Sequence, residues 1–269
     1  MSSSNGNKRD EKSAVSELFE AAHEEGVLSP ASLQTLTGVD LGAQIQAGLG
    51  ISVDDVQASE VVLLTMMPDD SGSISVAGNE RAVRDGHNLV LDALASSKQR
   101  DGILAHTRYL NGDVLFPYRP IDQAIRMTSK NYDACQGTPL YDQSVVLLGS
   151  VIAKAQDFAR NGVVTRSVTL IITDGADQHS TRCRARDVAA LVRDMTRSEA
   201  HIVAAMGIDD GTTPFREVFR EMGIEDRWIL TPGNDPGDIR RAFQVFSQSA
   251  VRASQAATFS QAAIAGFVQ

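Results

Sequence analysis

The sequence of 269 residues predicts a doubly wound, Rossmann-like α/β fold with a mostly parallel six-stranded sheet. Two predominantly apolar runs, at 61–67 and 168–173, are typical of strands buried on both faces of a parallel sheet. Segments of helical periodicity alternate with such runs, which places helices on both faces of the sheet. The pair Asn111-Gly112, between two apolar segments, indicates a hairpin and therefore one antiparallel edge strand.

The first 58 residues predict a short helical N-terminal arm. Residues 1–12 are small, polar and charged, so we expect them to be disordered. The arm itself spans 13–58, and its first helix, over 13–25, is amphipathic and ends at a glycine. Ser29-Pro30 begins a second helix and 41–49 forms a third, which makes the arm too small to be an independent enzyme.

The α/β domain is predicted over residues 59–250, and a C-terminal tail rich in Ser, Ala and Gln over 251–269. After the strand at 61–67, the elements follow as helix 79–95, strands 103–110 and 114–116, helix 140–159, strand 168–173, helix 187–196, strand 201–206, helix 215–222, strand 228–230 and helix 238–250. Binding sites in such sheets lie at the carboxyl ends of the strands. The loops after the two central strands are therefore the first places to look for function.

Composition and charge exclude several classes of protein. With 25 Lys and Arg against 34 Asp and Glu, the formal net charge is −9, which argues against a nucleic-acid partner. The two cysteines are too few for a disulfide framework. Because no apolar stretch is long enough to span a membrane and no signal peptide is recognisable, we expect a cytoplasmic protein without a membrane partner.

Oxygen-bearing side chains are concentrated on three loops. The residues concerned are Asp69, Ser71, Ser73, Thr138 and Asp174. Each of them alone is an ordinary turn or cap residue. Together they supply hard oxygen donors, which suit Mg²⁺, or Mn²⁺ in its place, rather than a soft metal. The sequence therefore predicts a metal site at the carboxyl edge of the sheet.

These loops resemble the motifs of the von Willebrand factor type A domain family over residues 60–250. DDSGS is similar to the family's first motif, GTPLYD to its threonine loop and TDG to its last motif. The resemblance implies a metal-ion-dependent adhesion site, in which a Mg²⁺ is held mainly by the hydroxyls and the aspartates act partly through water. It also implies an open position that an Asp or Glu of a protein partner fills. Pro68 departs from the family, which usually has an apolar strand residue there.

The segments TSKNYDA, GTPLYD, IITDGAD and RAFQVFSQSAVRAS resemble bacterial cytoplasmic members of the family. Some of these are found near tellurite-resistance functions, and some are accessory subunits of MoxR-type AAA+ ATPases. The resemblance therefore implies a non-enzymatic protein-interaction module. An accessory subunit of such an ATPase, or a component of a stress system, is the first alternative.

Catalysis is the alternative from a different functional class. A metal site of this kind can activate water, which would make the protein a metal-dependent hydrolase. The sequence has no nucleophile elbow, phosphate-binding loop or dinucleotide fingerprint, and no histidine within its motifs. We therefore expect no enzyme activity and assign no catalytic residue. His179 and Cys183, four residues apart, could share a helix face and bind zinc, but no second pair completes such a site.

Overall fold

A computed structural model describes residues 4–38, 41–256 and 259–267 of the chain. Within these ranges the sheet has six strands, and they are β1 (Glu60–Met67), β2 (Ile103–Arg108), β3 (Val114–Pro120), β4 (Val164–Thr173), β5 (His201–Gly207) and β6 (Ile229–Leu230). Their order across the sheet is β3-β2-β1-β4-β5-β6. Only β3 runs antiparallel to its neighbour among the described strands. The predicted sheet is confirmed.

The described helices are α1 (Ser4–Glu24), α2 (Pro30–Gly38), α3 (Gly42–Leu49), α4 (Gly72–Val76), α5 (Glu80–Ala95), α6 (Leu140–Arg160), α7 (Ala185–Arg197), α8 (Phe215–Glu221), α9 (Pro236–Gln255) and α10 (Phe259–Ala265). The short helix α4 was not expected from the sequence. Helix α1 begins within the segment predicted to be disordered, of which residues 1–3 lie outside the described ranges. Helix α10 lies in the predicted tail.

The two central strands are buried on both faces, as their apolar runs predict. Every residue of β1 after Glu60 is buried, and side chains of a strand alternate between its faces, so both faces are covered. β1 pairs with β4 along its whole length, up to Met67 opposite Ile171. The chain continues from β1 to β2 on one side, whereas β4 lies on the other. The loops that follow β1 and β4 therefore meet at the switch point of the sheet.

The antiparallel edge strand is longer than the sequence indicated. Five residues, 109–113, connect β2 to β3, and the ladder beyond them contains register shifts. The Tyr109 amide donates to the Asp113 carbonyl at 2.8 Å, and Gly112 has a φ of 104°. The expected two-residue turn is thus replaced by a wider loop. Prolines are tolerated in β3 because it is an edge strand.

The N-terminal arm packs on the rest of the chain through its apolar face. Val15 and Phe19 are buried, and α1 and α3 both contact α6. Beyond α3, the Ile51 amide donates to the Tyr118 carbonyl of β3 at 2.9 Å. Gly50 has a φ of 59°, and a Cβ there would lie 2.1 Å from the Tyr118 oxygen. The arm therefore closes part of the exposed sheet edge.

Two buried cations face this arm. The Lys154 ammonium donates to the Ile51 carbonyl and lies 3.3 Å from an Asp157 carboxylate oxygen. The Arg108 guanidinium donates to the Gln44 carbonyl at 3.3 Å. The arm thus supplies carbonyl oxygens to charges that the fold has removed from water. No described helix has the length and apolar character that crossing a membrane requires.

Candidate metal centre

Asp69 fastens the loop after β1 to the end of β4. Its Oδ1 accepts the Ser71 amide at 2.7 Å, which closes a tight turn before α4. Its Oδ2 accepts the Thr173 hydroxyl at 2.8 Å and the Asp174 amide at 3.2 Å. The Tyr132 hydroxyl donates to the Asp69 carbonyl. Both carboxylate oxygens are thus engaged within the protein, and Asp69 orients the oxygen-bearing residues on either side of it.

Three oxygens of the predicted ligands lie close to one another. Ser71 Oγ and Ser73 Oγ are 2.9 Å apart, and Asp174 Oδ1 lies 2.6 Å from Ser73 Oγ and 3.3 Å from Ser71 Oγ. Mg²⁺ binds oxygens at about 2.0–2.1 Å in an octahedron, whose adjacent oxygens are therefore about 2.9 Å apart. Two hydroxyls and a carboxylate are also the donors that a hard cation prefers. The chemistry and spacing of this set fit Mg²⁺ or Mn²⁺.

The threonine loop lies beside this group of oxygens. The Gln136 amide donates to the Asp70 carbonyl at 3.0 Å, and the Gln136 carbonyl accepts the Gly72 amide at 3.0 Å. These two bonds form a short parallel bridge between the loops. Thr138 follows two residues later and is buried. Four of the predicted ligands are thus linked by direct hydrogen bonds. Thr138 is connected to them only through the chain, by the backbone bonds of Gln136 two residues before it.

The carboxyl groups of the centre are held away from water. Burial is the largest cause that raises the pKa of Asp174, to about 6, and the neighbouring Asp69 carboxylate raises it further. Burial also raises the pKa of Asp69, against the hydrogen bonds that it accepts. A divalent cation between such groups would favour their ionised forms. The negative charge of this edge is therefore concentrated where a cation would offset it.

Asp70 serves the architecture of the edge. Its Oδ1 accepts the Asn111 amide at 3.0 Å, which ties the β2–β3 loop to the loop after β1. Burial raises its pKa to about 7. Pro68 lies just beyond the end of β1, and its carbonyl accepts the Leu110 amide at 3.1 Å. The departure from the family pattern at Pro68 therefore leaves β1 and its pairing with β4 intact.

Sequence reasoning missed the residues that hold the loop after Asp174. Asp142, in the first turn of α6, accepts the backbone amides of Thr181, Arg182 and Cys183 at 2.9, 3.1 and 2.7 Å. Its own amide donates to the Ser180 hydroxyl at 2.9 Å. No signal in the sequence indicated this role, because the partners of the Asp142 carboxylate are backbone amides and do not depend on residue type. This loop is thereby fixed against the threonine loop.

Zinc at His179 and Cys183, which the sequence already disfavoured, has no support in the structure. The segment between Asp174 and α7 is not helical, so the two residues do not share a helix face. Cys183 is buried, Cys135 is exposed, and both are free thiols. No group of three or more His, Cys, Asp or Glu side chains in the described part of the chain could hold a metal ion. Asp177, whose Oδ1 accepts the Tyr141 amide at 3.2 Å, is a helix-capping residue.

Comparison with known proteins adds similarity of fold. No family model and no curated protein matches the sequence. The pilus adhesin SpaC from Lactobacillus rhamnosus GG superposes with a TM-score of 0.53 and 12% identity over 73% of this chain and 31% of SpaC. The proximal thread matrix protein 1 of the mussel byssus gives a TM-score of 0.49 and 13% identity over 70% of this chain and 47% of its own.

A von Willebrand factor type A protein from Catenulispora acidiphila has a TM-score of 0.43 and 18% identity over 72% of this chain and 43% of its own. One structure of the mussel protein has zinc in its metal-ion-dependent adhesion motif. This chain therefore spans less than half the length of each of these three proteins.

Proposed function

This chain has the von Willebrand factor type A fold, and on that premise we propose that it is a metal-dependent protein-interaction module. The proposed metal centre comprises Asp69, Ser71, Ser73, Thr138 and Asp174. The observation that carries the proposal is the convergence of Ser71 Oγ, Ser73 Oγ and Asp174 Oδ1 within 3.3 Å of one another. Their place at the carboxyl edge of the sheet is where doubly wound folds bind ligands.

Mg²⁺ is the proposed resident ion, with Mn²⁺ as its closest substitute. Both prefer oxygen ligands, whereas a site for a soft metal would offer sulfur or imidazole. When bound, the ion supplies a concentrated positive charge with room for an outside ligand. Asp69 holds Ser71, Thr173 and Asp174 in place through the bonds at 2.7, 2.8 and 3.2 Å, and so fixes the two loops that carry the other oxygens.

The proposed partner is a protein that presents an Asp or Glu. Neutral hydroxyls compensate little of the charge of a divalent cation, so the ion retains affinity for a further carboxylate. A carboxylate that reaches a partly desolvated cation gains more than an exposed ion pair, which is worth about 0–1 kcal/mol. Binding should therefore require the metal and depend on one acidic residue of the partner. An AAA+ ATPase as that partner stays a prediction from the resemblance.

We favour binding over hydrolysis. The structure does bring one histidine, His179, beside the threonine loop, which the sequence did not indicate. Its Nδ1 accepts the Thr138 amide at 2.9 Å, so that nitrogen is not available to take a proton from water. Three other histidines, His87, His106 and His201, are buried. A cytoplasmic location agrees with the two free thiols and belongs to the same proposal.

Isothermal titration with Mg²⁺ and Mn²⁺ tests the proposed function. The double variant Ser71→Ala/Ser73→Ala removes two hydroxyls and should lose at least tenfold in affinity, about 1.4 kcal/mol. Ser75→Ala is the matched control, because Ser75 lies in the same short helix and is not one of the proposed ligands. Equal affinities in the double variant, the control and the unmodified protein would contradict the assignment.

A further inference from the structure

We propose that His179 is a positioning residue of the metal centre, which holds the threonine loop so that Thr138 can act as a ligand. The inference rests on the proposed function, because it deepens the description of the same site. His179 is exposed and lies five residues after Asp174, on the loop that leads from β4 to α7. It is outside the three motifs from which the ligands were predicted.

Both polar groups of the Thr138 backbone are bonded to the His179 segment. The Thr138 amide donates to His179 Nδ1 at 2.9 Å. The Thr138 carbonyl accepts the amides of Gln178 and His179 at 3.1 and 3.3 Å. Both the amide and the carbonyl of Thr138 are therefore hydrogen-bonded to the same loop. Of these bonds, only the one to the imidazole depends on a side chain, so only this one can be removed by substitution.

Gly137 shows how closely the imidazole ring approaches the threonine loop. A Cβ built on Gly137 would lie 2.9 Å from His179 Nδ1 and 3.0 Å from its Cγ. These separations are shorter than real Cβ contacts, so a residue other than glycine would displace the ring. The φ of Gly137 is not positive, so the constraint at this position is the close approach of the ring and not the backbone conformation. The ring and the loop are thus fitted to each other.

The segment that carries His179 is itself well anchored. Ser180 donates to Asp177 Oδ1 at 2.5 Å and accepts the Asp142 amide at 2.9 Å. Asp142 holds the next three residues by their backbone amides. Because these bonds fix the backbone around His179, its hydrogen bond to Thr138 also fixes the position of the threonine. Residues that orient metal ligands in this way typically change metal affinity roughly 10- to 100-fold when substituted.

The test is a Mn²⁺ titration of the full chain with substitutions at His179. His179→Ala removes the acceptor of the buried Thr138 amide, and we expect a roughly 10- to 100-fold loss of Mn²⁺ affinity. His179→Asn should restore most of the affinity, because its side-chain oxygen can take the place of Nδ1 as the acceptor. Gln178→Ala is the matched control, since it leaves the neighbouring backbone bond in place and should bind Mn²⁺ normally. Without metal, His179→Asn and Gln178→Ala should melt at the same temperature as the unmodified chain.

A second pair of variants tests the contact with Gly137. Gly137→Ala should weaken Mn²⁺ binding in the unmodified chain, because its Cβ meets the ring. In the His179→Ala background the same change should cost little, because the ring is no longer there. Non-additivity of this sign supports the proposal.

Two results would overturn it, and both differ from a failure of the proposed function. The inference is wrong if His179→Ala binds Mn²⁺ normally while Asp174→Ala does not, or if His179→Asn binds as weakly as His179→Ala. If Asp174→Ala also binds normally, the metal centre itself is misassigned. If the melting temperature without metal falls for His179→Ala alone, the Mn²⁺ affinity of His179→Asn decides between the proposal and a loss of folding.

Discussion

Removing the side chain of Ile45 should destabilise the whole protein, because the N-terminal arm is part of its core. Ile45 lies in α3 and is fully buried. Its Cδ1 lies 2.9 Å from the position that a Cβ on Gly149 of α6 would take. The absence of a side chain at Gly149 thus provides the space into which Ile45 packs. This contact joins the arm to the longest helix of the α/β domain.

The size of the effect follows from the atoms that Ile45→Ala deletes. The substitution deletes three buried carbon groups, and the loss of each lowers the transfer free energy that favours folding by about 0.8 kcal/mol. The remaining cavity adds to this, so we expect a decrease of about 3 kcal/mol in the free energy of unfolding. A chain of this size should then melt roughly 6–12 °C lower.

Urea unfolding followed by circular dichroism measures this effect. The midpoint should fall for Ile45→Ala while the slope stays unchanged. Ile264→Ala is the matched control: it removes the same atoms from a side chain that is 56% exposed, and should change stability by less than about 0.5 kcal/mol. If the two variants unfold at the same urea concentration, the arm is not docked on its own chain in solution, and the reasoning fails.

Three further outcomes are expected. A chain that begins at Ser59 should melt well below the full chain, because Lys154 loses the Ile51 carbonyl and β3 loses its cover; equal melting would show that the arm is not structural. Burial lowers the pKa of His201 to about 4, so below pH 6.5 the unfolded state binds more protons than the native state. From pH 8 to pH 5 the free energy of unfolding of the unmodified protein should therefore fall by about 2 kcal/mol relative to His201→Gln. Parallel pH profiles of the two proteins would refute this. Mn²⁺ at a hundredfold excess over its Kd should stabilise the protein by about 2.7 kcal/mol and leave Asp174→Ala unchanged, which differential scanning fluorimetry can check; equal shifts in both would place the ion elsewhere.

The sheet was predictable because its central strands carry the strongest local signal. The runs of β1 and β4 are short and predominantly apolar, and their length and β-branched residues favour a buried strand over a buried helix. Helix α4 could not be foreseen, because its five residues are too few to show a helical period. Its start is set by the turn that Asp69 closes, which is a side-chain contact and not a pattern.

The candidate ligands were predictable, whereas their supports were not. Asp69, Ser71 and Ser73 stand at alternate positions of one loop, which is visible in the sequence. The hold of His179 on Thr138 joins residues 41 positions apart, and no spacing rule indicates such a contact. The same is true of Asp142, whose carboxylate binds backbone amides and so leaves no trace in residue types elsewhere. Long-range polar contacts of this kind come only from the folded chain.

Anomalous diffraction from crystals grown with Mn²⁺ tests the central claim most directly. The account predicts one strong anomalous peak at the carboxyl edge of the sheet, within about 2.0–2.3 Å of the hydroxyl oxygens of Ser71, Ser73 and Thr138. It also predicts that an oxygen from outside these side chains, from water or a neighbouring carboxylate, completes the coordination. A peak at another place, or no peak at this edge at saturating Mn²⁺, would contradict it.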